Sequence, residues 1–357
     1  YAEEAFQSRE ENLWMLLQDE LLRYAYKYLP QDGLTWEEIK AYMGTRWIRA
    51  SLAEDNLDEA ERRINVFRKT FGGELLKPGS YLDLELKIWD TWIRVYQGGD
   101  PRDVRSLLND ILRDVENLPS KTGLDQWRRS FLKAYAWYWH GYLSRSQGEF
   151  KDAVQWYLKS VPLWRELNME VQAATTLNDL SWAEAEAGAF NVAISHCKDG
   201  LELRRKLGDP YLVALSLNTM GLIEIRSGKP ETARFHCEQA LEKFRRKEDA
   251  RGIGLASLAL AESLRRITNT DVFVYDEKKK LEYLNEAAKR AEEAVEIFRE
   301  KAKEEPLRLT EAYIELGCVY REWIRQLSKE DSSRQEKIDH SRIAYEKAVK
   351  AAREAGY

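Results

Sequence analysis

The chain has 357 residues, 33% of them charged, a formal charge of −5 and 8 prolines. So mild an acidity gives no footing on nucleic acid, which calls for a basic face. No apolar run reaches the roughly 18 to 20 residues of a membrane span. Three cysteines do not make a disulfide framework, so a reducing cytoplasm is the expected compartment and neither membrane nor nucleic acid an expected partner.

Abundant Leu, Ala, Glu, Lys and Arg push the whole chain toward helix. Residues 2–29 carry Leu13, Leu16, Leu17, Leu21 and Leu22 at helical spacing and end at Pro30-Gln31-Asp32-Gly33. Helices are then expected in pairs: 36–53 with 57–71, 81–97 with 102–118, 125–147 with 150–167. The third pair shows Trp137 and Gly141, a turn at Gly148, then Ala153 and Tyr157. An aromatic and a small residue on the first helix, with a small and a large one on the second, let two helices approach closely.

The fourth and fifth pairs are one piece of chain written twice. Leu177-Asn178 corresponds to Leu217-Asn218, Glu184 to Glu224, Gly188 to Gly228, and His196-Cys197 to His236-Cys237, always 40 residues apart. A sixth pair spans 251–267 and 278–301 across a longer loop. After Pro306 a seventh pair carries Tyr313 and Gly317, then Ser341, Tyr345 and Ala348. A fixed period in helical sequence broken by turn glycines marks stacked helix pairs. The expected fold is all-α, a right-handed α-solenoid of tetratricopeptide-like helix-turn-helix repeats. It is read as one repeat domain over 1–357: a cap in 1–33, two divergent pairs in 34–122, three regular repeats in 123–249 and two divergent ones in 250–357.

The stretch from Leu217 to Glu242 resembles the long-period tetratricopeptide repeats of bacterial signal-transduction ATPases with numerous domains (STAND proteins), of which the maltose-operon activator is the familiar member. That resemblance covers residues 125–356 well. It implies a sensor array that follows a nucleotide-binding switch and binds an inducer. The chain lacks the Gly-x-x-x-x-Gly-Lys-Ser/Thr phosphate loop, so such a switch would lie elsewhere in a larger protein, whose other domains are expected partners.

The first helices of a solenoid share an inner wall, and a stripe at i, i+4 and i+7 from each packing residue faces it. That stripe brings forward Trp89 and Tyr96, Tyr138 and Tyr142, Asn178 and Trp182, Asn218, and Glu262 with Arg265. Asn178 and Asn218 could hold a peptide backbone or a small polar head group, or bond across to a neighbouring helix. Trp89, Tyr138, Tyr142 and Trp182, with Asp179 or Glu262, could cage a cationic amine, or could be core. Glu184 and Glu224 could face the groove or pair with Arg204 or Arg226. The two His-Cys dipeptides suggest zinc, but neighbours on a helix point about 100° apart, so no metal or other cofactor is expected. No Gly-x-Ser-x-Gly elbow or His-Glu-x-x-His motif occurs, so no catalysis is expected. The reading is a sensor whose inner wall binds a small effector such as an amino acid or another amine-bearing metabolite. The alternatives are a peptide-binding adaptor using the same groove and a passive oligomerisation scaffold.

Overall fold

A computed structural model describes residues 35–53, 56–270, 276–302 and 305–355. The one or two helices expected over 2–29 lie outside the described residues, as does half of the loop expected after Ile267, residues 271–275. Fourteen α-helices occur among the described residues, and they form seven pairs: α1 (Trp36–Ala53) with α2 (Leu57–Thr70), α3 (Tyr81–Tyr96) with α4 (Pro101–Val115), α5 (Gly123–Ser146) with α6 (Phe150–Glu166), α7 (Glu170–Glu186) with α8 (Phe190–Leu207), α9 (Pro210–Arg226) with α10 (Pro230–Arg246), α11 (Ala250–Ile267) with α12 (Glu277–Glu300), and α13 (Pro306–Gln326) with α14 (Arg334–Glu354). The fold is an all-α solenoid of tetratricopeptide-like repeats.

The chain divides into two compact units, residues 1–168 with α1 to α6 and residues 169–357 with α7 to α14. Within the first unit α1 packs on α3 and α3 on α5. Within the second, α7, α9, α11 and α13 pack in succession. First helices therefore lie side by side inside each unit, the arrangement an inner wall needs.

The boundaries follow from local chemistry. Asp100 caps α4 and Asp209 caps α9, each just ahead of a proline whose missing N–H costs nothing at a helix start. Thr122 and Asp125 form a reciprocal capping box on α5. Turns inside the hairpins use glycine at positive φ, as at Gly148 (76°) and Gly188 (86°). Joints between hairpins repeat a left-handed residue at Asn168, Gly208 and Glu248, spaced by 40 like the sequence. A short 3-10 turn at Gly73–Leu76, absent from the sequence reading, joins the first two pairs.

Close packing within hairpins explains the small-to-large pattern. A Cβ placed on Gly141 would stand 2.6 Å from the ring of Tyr157, which is fully buried. In the next hairpin Ser181 and Cys197 take those two places, and both are fully buried. Between hairpins the apolar contact runs through residues such as Leu241 and Phe244, which meet Leu260 and Leu264 of the following first helix. Burying side chains of that size contributes roughly 1.5–3 kcal/mol each. Among the described residues no helix is long and apolar enough to cross a membrane.

Candidate functional site

In the second unit the duplicated asparagines occupy matching places on packed first helices. Asn218 on α9 is 7% exposed and Asn178 on α7 is half-buried. The side-chain oxygen of each is buried and accepts no hydrogen bond from another protein group. Leaving a buried acceptor unsatisfied costs about 1–3 kcal/mol, so these amides are poor structural glue. The alternative in which they bond across to a neighbouring helix is not what the geometry shows.

One turn beyond Asn178, Trp182 is half-buried, and the Arg226 guanidinium from α9 stands 6.0 Å over its ring. Arg226 also pairs with Glu186 of α7 at 2.7 Å, so it ties one first helix to the next. Asp179 sits half-buried beside Asn178.

Further along the unit, Glu262 is held by Arg266 at 2.8 Å. Arg265 forks onto Glu315 of α13 at 2.6 and 3.0 Å. Burial opposes the charge on Arg265, yet the bonded Glu315 carboxylate keeps its pKa above the ordinary arginine value. Burial likewise pushes the Glu315 carboxyl up, with Arg265 pulling it down. Arg265 is thus a tie between α11 and α13, whereas Glu262 is paired within its own helix to Arg266, with side chains 27% and 45% exposed.

Glu184 and Glu224 are each bonded to a histidine on the second helix of the same hairpin: Glu184 to His196 Nδ1 at 2.9 Å, Glu224 to His236 Nδ1 at 2.7 Å. The expected arginine partners act elsewhere. Arg204 is 2% exposed and donates to the Leu212 carbonyl and the Ser216 hydroxyl. Twelve residues on, across the tight turn, an imidazole comes level with the carboxylate, whereas an arginine on the next hairpin does not. Burial is the main influence on Glu184 and raises its pKa, while the His196 bond lowers it.

The adjacent cysteines point the other way, into the core. Cys197 and Cys237 are fully buried, and burial pushes the Cys197 thiol up to about 12 and the Cys237 thiol higher still. Thiolate ligands are disfavoured there. Among the described residues no group of three or more His, Cys, Asp or Glu is placed to hold a metal.

In the first unit the aromatic wall differs from the one expected. Trp89 is fully buried against the rings of Phe131 and Tyr135 at 6.3 and 5.0 Å, so it belongs to the core. The residue in register with Tyr142 is Trp92. Counting back seven residues from the turn glycine gives Gly141 from Gly148, Gly221 from Gly228 and Thr91 from Gly98, and this would have placed Trp92 from sequence. Tyr96, 48% exposed, stacks on Tyr142 at 6.0 Å, and Trp92 and Tyr142 both rest on Trp139 at 5.2 and 5.5 Å. Arg145 covers the Tyr142 ring at 4.8 Å, and Tyr138 is turned toward Trp139 and Tyr157. An ion pair between half-buried Arg46 and fully buried Glu85, at 2.8 Å, sits in the same unit and was not anticipated.

Two cavities lie away from these residues. One of about 620 Å³ is lined by Arg234, Arg245, Arg290 and Glu286 over Leu260 and Leu264. The other, about 400 Å³, lies at the turn around Phe190 and Val192.

No protein-family model and no curated protein matches the chain. Solved structures do. A Rap protein complexed with competence and sporulation factor is 18% identical, with a TM-score of 0.63 over 88% of this chain and 77% of that one. A STAND protein with a tetratricopeptide repeat sensor from Pyrococcus horikoshii is 14% identical, with a TM-score of 0.60 over 88% of this chain and 43% of that one. The apo quorum sensor NprR from B. thuringiensis is 15% identical, with a TM-score of 0.59 over 88% and 77%. The chain spans under half of the STAND protein's length. At such identities the likeness is one of fold, that of a tetratricopeptide-like helical solenoid.

Proposed function

We propose that this chain is the effector-binding module of a signalling protein, that it binds and does not catalyse, and that its effector is an extended peptide gripped by the first helices of the second unit. The observation that carries this reading is the pair of amides at Asn178 and Asn218, repeated one hairpin apart without protein partners for their oxygens and flanked by Trp182. A backbone offers donors and acceptors at regular intervals, and amides repeated at a regular interval suit it. The neighbours in fold support it: one was solved with a competence and sporulation factor, and another is a quorum sensor. Bridging α7 and α9 would add to the Arg226–Glu186 tie and hold the two hairpins at one setting. Binding would thereby shift the population of array conformations that other domains of a larger protein sense.

A second reading, an amine-bearing metabolite, rests on Trp182 beside Asp179. Calorimetry separates the two. Peptides that bind with an affinity lost in Asn218→Ala and Trp182→Ala support the first reading. Binding by amino acids alone, insensitive to Asn218→Ala, would overturn it.

A further inference from the structure

Independently of the peptide reading, we infer that the open face of α13 and α14 is a docking surface for a second copy of this chain, the two α13 helices lying antiparallel about a two-fold axis. Within the second unit each first helix is covered by the next along one stripe of residues. On α9 that stripe carries Leu215, Leu222 and Ile225, packed into a core shared with α11. On α11 it carries Leu255 and Leu258, which pack with Ala312 and Tyr313 of α13, and Arg265, which forks onto Glu315.

On α13 the same stripe runs through Leu307, Glu311, Ile314, Cys318, Arg321 and Arg325, and among the described residues no first helix follows to cover it. Ile314 is 44% exposed, whereas Asn218 at the equivalent place on α9 is buried; Arg321 is exposed, whereas the equivalent Ile225 is buried. The second helix repeats the contrast. Val349, four residues beyond Tyr345, is 52% exposed, while Leu201 and Leu241, four beyond Cys197 and Cys237, are 5% and 3% exposed.

Three features select a second copy as the occupant. The face continues an interface that the array already builds between its own helices, so a helix fits it. Its residues recur at alternating intervals of four and three, the spacing of a helix–helix seam. The stripe also reads onto itself when reversed. About a point midway between Ile314 and Cys318, Ile314 falls opposite Cys318, Glu311 opposite Arg321, and Leu307 opposite the aliphatic stem of Arg325. A two-fold contact requires a patch to be its own complement, and this one is.

Charge fixes the sense of the pairing. Antiparallel, Glu311 of each copy meets Arg321 of the other; parallel, like charges would meet. Arg321 is available for this: it touches the Cys318 sulfur at 3.9 Å, and no carboxylate among the described residues pairs with it. Glu311 is bonded to Arg308 of its own helix at 2.6 Å but keeps 49% of its side chain exposed.

The test is the mass of the whole chain by sedimentation velocity between about 1 and 100 µM. The inference expects a dimer at the upper end and a monomer for Ile314→Glu. Glu311→Arg and Arg321→Glu each set like charges together and should raise the dimer dissociation constant about tenfold or more, and the double variant should restore the dimer. All three side chains are exposed, so thermal melts of the variants should match the wild type. Thiol labelling of Cys318 should be slower in the dimer than in Ile314→Glu. A wild-type chain that stays monomeric throughout would overturn the inference and leave the face to another helix of a longer chain. A dimer indifferent to Ile314→Glu, or single charge reversals that the double variant fails to rescue, would overturn it as well.

Discussion

Protonation of His140 should set how the first unit responds to acid. Its ring is 1% exposed on α5, stacks on Trp156 at 4.6 Å, and has no hydrogen-bond partner at either nitrogen. Burial, with Arg105 and Lys159 nearby, lowers its pKa to about 4. In the unfolded chain the same group titrates near 6.5. Between those values the unfolded chain binds more protons, so stability rises with pH across the window: the His140 contribution is full above about 6.5 and is lost as pH falls toward 4. A shift of that size corresponds to about 1.4 kcal/mol lost at pH 5.5 and about 3 kcal/mol by pH 4, at 1.36 kcal/mol per pH unit. Urea unfolding followed by tryptophan fluorescence reads it well, because ten of the 12 tryptophans lie in residues 1–168. His140→Phe keeps a ring on Trp156 and removes the titration. Its stability profile should diverge from that of the wild type only below about pH 6.5. Parallel profiles down to pH 4.5 would refute the burial argument.

Other substitutions probe the packing and the site. Gly141→Ala should lower stability by about 1–3 kcal/mol in urea melts because Tyr157 has nowhere to go, whereas Gly123→Ala, with open space at its Cβ, should be close to neutral. Glu248→Gly should raise the urea midpoint by the equivalent of about 0.5–1 kcal/mol, since Glu248 holds a left-handed backbone with φ 55°. Asn218→Leu should raise the stability of the free protein by about 1 kcal/mol while abolishing peptide binding, because it removes a buried oxygen that no group satisfies. A thiol reagent at neutral pH should modify Cys318 well before the buried Cys197 and Cys237, as mass spectrometry would show.

Much of the fold was legible because period is a global property. A 40-residue repeat, turn glycines and small-to-large pairs fixed most helix ends within a residue or two: 36–53 was expected and found, and 57–71 ended one residue early at Thr70. The short turn at Gly73–Leu76 escaped because four residues carry no periodicity. In the site, sequence brought out Asn178, Trp182 and Asn218 as repeat-related groups on first helices. It could not show that Glu262 and Arg265 are engaged by Arg266 and Glu315, because those partners depend on rotamers and on side chains up to 50 residues away. Trp89 misled for a simpler reason: a stripe counted from the wrong origin turns by a fraction of a helical turn, and a core ring then passes for a wall ring.

The two kinds of tie in the second unit answer to different conditions. The Glu184–His196 and Glu224–His236 bonds fasten one helix to its mate within a hairpin, on carboxylates 5% and 10% exposed, where dissolved ions reach poorly. The Arg226–Glu186 contact spans two hairpins with side chains 37% and 20% exposed, within reach of counterions. Ionic strength therefore works as a loosening screw on the Arg226–Glu186 joint, while the Arg265–Glu315 joint, 16% and 10% exposed, is shielded as the hinged leaves are. An array assembled this way would breathe first between α7 and α9 in concentrated salt, before any hairpin opened.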